Sequence, residues 1–216
     1  MTSFDASHQL CSVTLLGNLV AKPEIRYLAN PILAVSEITL ATTHRWKDAK
    51  TKSTKEWTSY HTIKVIGKLV EETLIHANKG DILLVSGYFA NNKKAPIEII
   101  HASSVEHFAK GFTQGLNQVT CSASIASEVQ LVTTEYDKLL ANFTAHISHH
   151  AYAEHTQSMQ LHQVERPVQL WGKQAKFVAE HGKIGDHVII EARISYGATS
   201  AKQQQLEASN VHLLKK

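Results

Sequence analysis

The second half of this chain repeats its first. Ile63-Lys64-Val65-Ile66-Gly67-Lys68 returns as Val168-Gln169-Leu170-Trp171-Gly172-Lys173, an offset of 105 residues. The same offset carries Gly80-Asp81 onto Gly185-Asp186 and Ile38-Thr39 onto Phe143-Thr144. Near the end, Ala102-Ser103 and Val105 match Ala208-Ser209 and Val211 at an offset of 106, so the second copy holds one extra residue before its last strand. A register kept over this distance defines two copies of one small domain. Glycine and polar residues interrupt the pattern at Gly111-Phe112-Thr113-Gln114-Gly115. We therefore expect one domain over residues 1–110, a linker over 111–118 and a second domain over 119–216.

Each copy reads mostly as strand. In the first, Val13–Val20 is apolar and ends near the bend at Pro23, and Ala34–Thr43 alternates around Val35, Ile38 and Leu40. Tyr60–Ile66 alternates again, with His61, Ile63 and Val65 on one face and Tyr60, Thr62, Lys64 and Ile66 on the other. Leu69–Ala77 spaces Leu69, Val70, Leu74 and Ile75 as a short helix does. Ile82–Phe89 and Ile97–Phe108 follow as strands around the turn Asn91-Asn92-Lys93-Lys94. Three strands, a helix and two strands is the order of the OB-fold, a five-stranded Greek-key barrel. The expected fold class is all-β with short helices, as two tandem OB-folds.

Motifs and composition narrow the function by exclusion. No GxxxxGK[ST], GxGxxG or HExxH is present, and serine, histidine and aspartate nominate no triad. No catalytic residue and no cofactor is expected. Cys11 and Cys121 are the only cysteines, which excludes a cysteine-rich zinc site. Among the 14 histidines, His146, His149, His150 and His155 form the densest group. On a strand, however, His149 points away from His146 and His150, and no carboxylate or cysteine completes a ligand set. We read them as solvated histidines on a barrel face and expect no metal. Without a signal peptide or a run of about 20 apolar residues, the expected location is the cytoplasm, with no membrane partner.

Charge is asymmetric. Residues 1–110 hold 13 Lys+Arg against 10 Asp+Glu, whereas residues 111–216 hold 9 against 9. The excess concentrates between the second and third strands, in Arg45-Trp46-Lys47-Asp48-Ala49-Lys50-Thr51-Lys52-Ser53-Thr54-Lys55-Glu56-Trp57. This segment is expected to form an extended hairpin loop. Cations that follow phosphates, interleaved with rings that stack on bases, are what sequence-tolerant single-strand binding requires. The candidate binding residues are Arg45, Trp46, Lys47, Lys50, Lys52 and Lys55, with Tyr60 and Lys64 on the adjoining strand and the Lys93-Lys94 turn. Trp57 either stacks or supports the base of the loop.

Trp46, together with Leu16-Gly17-Asn18-Leu19, Pro23-Glu24-Ile25-Arg26-Tyr27, Ile38-Thr39-Leu40-Ala41-Thr42, Gly67-Lys68-Leu69, Lys79-Gly80-Asp81 and Val85-Ser86-Gly87, resembles the bacterial single-stranded DNA-binding proteins over residues 10–108. The resemblance implies single-stranded DNA as partner and four folds around it, hence a homodimer of this two-fold chain. It implies stacking roles for Trp46 and Tyr60, places Ile66 where a third ring is expected, and links His61 to subunit assembly. It assigns Arg26 and Tyr27 a structural role with some contact. A further stacking tryptophan expected after Gly87 is absent, and Lys93 and Lys94 stand there instead.

The second copy departs further. Its equivalent loop, from Ala151 to Glu165, has no lysine, and Arg166-Pro167 stands at the His61-Thr62 positions. A proline there suits an edge or irregular strand. Trp171, at the Ile66 position, either supplies the missing ring or packs into its own barrel. Family members usually carry an acidic tail with an apolar tip that recruits replication and repair enzymes. This chain ends Val211-His212-Leu213-Leu214-Lys215-Lys216, so recruitment by that route is not expected. The expected function is binding and protection of single-stranded DNA in replication, recombination or repair. The alternatives are a primosomal accessory protein, or a structural subunit of a plasmid, phage or conjugative apparatus that has lost DNA binding.

Overall fold

The computed structural model describes residues 9–48, 51–91, 98–197 and 203–214. The chain forms two compact units: Val13–Gln118 with Tyr152–Ser158, and Met1–Ser12 with Val119–Ala151 and Met159–Lys216. The first contains β1 (Cys11–Leu19), β2 (Arg26–Ala29), β3 (Ile32–Lys47), β4 (Thr54–Ile66), α1 (Lys68–Glu72), a 3-10 turn (Leu74–His76), β5 (Ile82–Asn91) and β6 (Glu98–Phe108). The second repeats the order as β7 (Leu116–Ile125), β8 (Gln130–Thr133), β9 (Leu139–Ala153), β10 (Ser158–Trp171), α2 (Lys173–His181), β11 (His187–Tyr196) and β12 (Gln204–Leu214).

Five strands of each unit close on themselves. In the first, β1 pairs antiparallel with β3 and β5, β3 with β4, β5 with β6, and β4 runs parallel to β6. The second closes the same way, with β10 parallel to β12. This is the five-stranded barrel of the OB-fold, twice over, as the strand order implied. Alternation fills the interior: Ile38, Leu40, Ile63, Val65, Leu83 and Val85 are buried, as are Phe143, Ile147, Val168, Leu170, Val188 and Ile190 in the second unit.

The repeated sequence motifs are the places where the backbone needs them. Gly67 and Gly172, which precede the two helices, have φ of 69° and 78°; Gly80 and Gly185 have φ of 90° and 91°. Only glycine takes these values without strain. In both copies an aspartate locks the second turn. Asp81 Oδ2 accepts the Asn78 N–H at 2.8 Å, and Asp186 Oδ2 accepts the Lys183 N–H at 2.9 Å. Each last strand carries a bulge at the same place, where Ser103 and Ser209 donate their hydroxyls to the carbonyls of Ser86 and Glu191. Six residues separate β5 from β6 and seven separate β11 from β12, which locates the extra residue of the second copy.

Several local expectations need correction. The short strands β2 and β8 were not visible in the sequence, because all four residues of each are exposed and leave no hydropathy alternation. Ile75 is exposed rather than packed, since the helix stops at Glu72 and a 3-10 turn follows. Pro167 lies within β10, which has neighbours on both sides, so it does not mark an edge strand. It immediately precedes the parallel pairing to β12, which begins at Val168. Arg166 is buried. Its Nε donates to Gln204 Oε1 at 3.0 Å and its Nη1 to the Glu165 carbonyl at 2.8 Å.

The solvated-histidine reading also fails in part. His149 is buried and stacks on His162, with ring centroids 5.3 Å apart. His146 lies 3.8 Å from Glu165, and His150 bonds Gln9. No grouping of three or more metal-ligating side chains occurs among the described residues.

His61 supplies a test of the buried interior. It is buried, its Nε2 lies 2.9 Å from Thr42 Oγ1, and desolvation lowers its pKa to about 4. The unfolded chain therefore takes up a proton on His61 below about pH 6.5, while the folded chain stays neutral there until about pH 4. Stability is lost as pH falls through that window, by roughly 3 kcal/mol from this residue. Urea unfolding between pH 7 and pH 4.5 should show the decline, and a His61→Gln chain should lose correspondingly less.

Candidate nucleic-acid interface

The register of β3 on β4 determines what the basic segment can present. Pairing is continuous from Val35↔Ile66 to Lys47↔Thr54. The arms of the segment are thus strand, not loop, and its tip is residues 48–53. There Asp48 donates its N–H to the Ser53 carbonyl and accepts the Lys52 N–H on its own carbonyl, both at 2.9 Å. Its Oδ1 accepts the Thr51 N–H at 2.8 Å. Residues 49 and 50, and so the Lys50 candidate, lie outside the described residues, as do Lys93 and Lys94.

Directly opposed residues of an antiparallel pair share a face. His44↔Trp57 and Trp46↔Lys55 therefore lie on one face, the one that continues the buried row Ile38↔Ile63, Leu40↔His61 and Thr42↔Ser59. Arg45↔Glu56, Lys47↔Thr54, Ala41↔Tyr60 and Glu37↔Lys64 lie on the other. The hairpin carries candidates on both faces: Trp46, Trp57 and Lys55 on one, Arg45, Lys47, Tyr60 and Lys64 on the other.

The rings are available. Trp46 is 42% exposed and stacks on His44 with centroids 5.8 Å apart. Trp57 is 66% exposed and Tyr60 58% exposed, so neither is spent on the core. Trp171 ends β10 and is 41% exposed.

The cations differ from one another. Arg45 Nε donates to Glu56 Oε2 at 2.9 Å, and Lys55 Nζ lies 2.6 Å from Asp48 Oδ2. Part of the hairpin's positive charge is thereby met within the hairpin itself. Sequence reading missed this because it requires the register. No ion pair of Lys47 or Lys52 occurs among the described residues, and Lys52 adopts a positive φ of 57° at the turn. Lys47, Lys52 and Lys64 are thus the hairpin cations whose charge no carboxylate meets among the described residues.

The segment after β6 also meets this hairpin. Gly111 accepts on its carbonyl the Asn18 side-chain N–H at 2.7 Å, and Gly115 donates its N–H to the Thr43 carbonyl at 2.8 Å. A Cβ on Gly115 would stand 2.6 Å from the Thr43 nitrogen, so only glycine approaches β3 this closely. Between the two anchors the Phe112 ring lies 4.0 Å from the Arg45 guanidinium carbon.

Two closed barrels in one chain, the first bearing an exposed hairpin of rings and cations, define a tandem OB-fold binding protein. The chain belongs to the single-strand binding protein family, which it matches twice, over residues 10–109 and 116–215. It binds single-stranded DNA, as that membership entails, and the family's work is binding rather than catalysis. Two solved structures match almost the whole length of the chain. A deletion mutant of the single-stranded DNA binding protein from Thermus aquaticus superposes with a TM-score of 0.79 at 20% identity, covering 97% of each chain. The wild-type protein from the same organism gives 0.76 at 21% identity, over 97% of this chain and 95% of that one. At those identities the likeness concerns the fold. No helix among the described residues is long and apolar enough to cross a membrane.

The Arg45–Glu56 pair generates a prediction. Glu56→Gln removes the charge that offsets the guanidinium, while the amide oxygen still accepts from Arg45 Nε and leaves the side chain in place. An exposed pair is worth up to about 1 kcal/mol. Oligo-dT should bind up to about five-fold tighter. The slope of log affinity against log salt should steepen by up to about 0.7, the value for one further phosphate contact.

Proposed function

We propose that the first unit holds single-stranded DNA along its β3–β4 hairpin without regard to sequence, and that this binding protects single strands during replication, recombination or repair in the cytoplasm. The observation that carries the reading is the hairpin register, which leaves Trp46, Trp57 and Tyr60 exposed between cations rather than committed to the core. Base faces of every kind can stack on such rings, and lysines that follow the backbone make no distinction between sequences. Lys47, Lys52 and Lys64 lead the electrostatic part, with Arg45 and Lys55 on the same hairpin; Lys50, Lys93 and Lys94 are further candidates by sequence. Trp171 offers a ring on the second unit, whose charge is balanced.

Tryptophan fluorescence during titration with poly-dT tests the reading. Trp46→Ala and Tyr60→Ala should each cost roughly 1–3 kcal/mol of binding. Joint replacement of Lys47 and Lys52 should flatten the salt slope by about 1.4, at 0.7 per contact, and weaken binding to all sequences alike. Changing Lys173 and Lys176 should do much less. Unchanged affinity in Trp46→Ala would put the platform elsewhere.

Two folds per chain supply half of a four-fold binding assembly, so we also propose a homodimer. Light scattering at micromolar concentration should report twice the 23.9 kDa chain mass. A species at the chain mass would contradict it.

A further inference from the structure

We propose that Phe112, in the segment joining the two repeats, is a base-stacking residue of the single-strand site, held in place by Arg45. The inference rests on the hairpin reading above and adds a ring to it from outside the hairpin.

Three observations converge. The segment is anchored on both sides of Phe112, through the Asn18 amide on the Gly111 carbonyl and the Gly115 N–H on the Thr43 carbonyl. Gln114 adds a longer bond from its side-chain nitrogen to the Arg45 carbonyl at 3.4 Å. The ring between these anchors is nevertheless 60% exposed, so its position is not set by burial in the core. One side of the phenyl ring is taken by the Arg45 guanidinium, 4.0 Å from the centroid, and that guanidinium is itself fixed by Glu56 at 2.9 Å.

An exposed phenylalanine on an otherwise polar, glycine-flanked segment gains little from water. Pinned beside a cation, it forms a flat platform of ring and guanidinium, the pairing that serves unstacked bases in single-strand sites. Its placement also suits the hairpin. Arg45 shares a face with Tyr60, whose cross-strand partner is Ala41. Four residues along β3 separate Ala41 from Arg45, about 13 Å at roughly 3.3 Å per residue. Phe112 and Tyr60 are then two rings on one side of the hairpin, with room for nucleotides between them. The ligand class is the nucleobases of a single strand, of any sequence.

The test uses the full chain and oligo-dT. Phe112→Ala should weaken binding by about 5- to 150-fold, the range for one stacked base. Phe112→Leu keeps apolar bulk beside Arg45 but removes the ring, so it should lose as much, whereas Phe112→Tyr should retain affinity. If leucine binds as tightly as phenylalanine, the ring serves packing and the inference is overturned. Phe112→Trp gives a readout that does not depend on a loss of affinity: its added emission should be quenched by oligo-dT. Absence of that additional quenching overturns the inference as well. Trp46→Ala, measured alongside, separates the two levels. If it weakens binding while the Phe112 variants do not, the hairpin reading stands and only the contribution of Phe112 falls.

Discussion

Everything in this molecule depends on how the end of each first strand is tied to a glycine-aspartate turn sixty or more residues further on. In the first unit Gly80 donates its N–H to the Leu19 carbonyl at 2.8 Å, and Leu19 donates to the Asp81 carbonyl at 2.8 Å. In the second, Gly185 bonds the Ile125 carbonyl at 2.8 Å, and Ile125 bonds the Asp186 carbonyl at 3.0 Å. These paired bonds start the antiparallel ladder between the first strand and the fourth long strand of each barrel, and that ladder leads the chain into closure. The positive φ of both glycines makes the turn possible, and the aspartate carboxylate satisfies the N–H that the turn leaves over. In the first unit the carboxylate accepts a second bond, from His107 at 2.8 Å, and the two together hold its pKa below the ordinary range, the Asn78 bond first.

Much of this was legible in the chain because the same constraint was written twice. Gly67 and Gly80 recur as Gly172 and Gly185 since each takes a positive φ, and Asp81 recurs as Asp186 because its carboxylate accepts the N–H of the turn. Strand interiors were equally readable: His61, Ile63 and Val65 alternate with Tyr60, Thr62 and Lys64 because one face is buried. The hairpin arms were not. From Arg45 to Lys47, and from Thr54 to Trp57, both faces meet solvent, so hydropathy carries no period of two and the segment reads as a loop.

The composition of the site was visible, then, but its division was not. Which cations face which rings depends on Asp48 and Ser53 closing the turn, and no count of lysines gives that. The same blindness applies to Arg166. It occupies the interior position that His61 holds in the first copy and finds its partner in Gln204, 38 residues away. The joining segment is a third case. Gly115 signals a break in pattern, but its contact with Thr43 shows a glycine selected for closeness rather than for freedom.

The hairpin register has a consequence for how the chain acquires its shape. Closure of the first barrel joins residues as distant as Val13 and Gly87, and β4 reaches β6 in parallel, so those contacts must await long loops. The β3–β4 hairpin needs no such wait. Lys47 and Thr54 meet across a six-residue tip, and the ladder can zip from there toward Ile66. Hairpins of this kind assemble in about 1–10 μs, whereas barrels built from distant pairings take milliseconds to seconds. The arms that bear the rings and cations are therefore encoded locally, as are the β2–β3 and β5–β6 pairings. On a growing polypeptide both arms exist before the strand that finishes the barrel has been made.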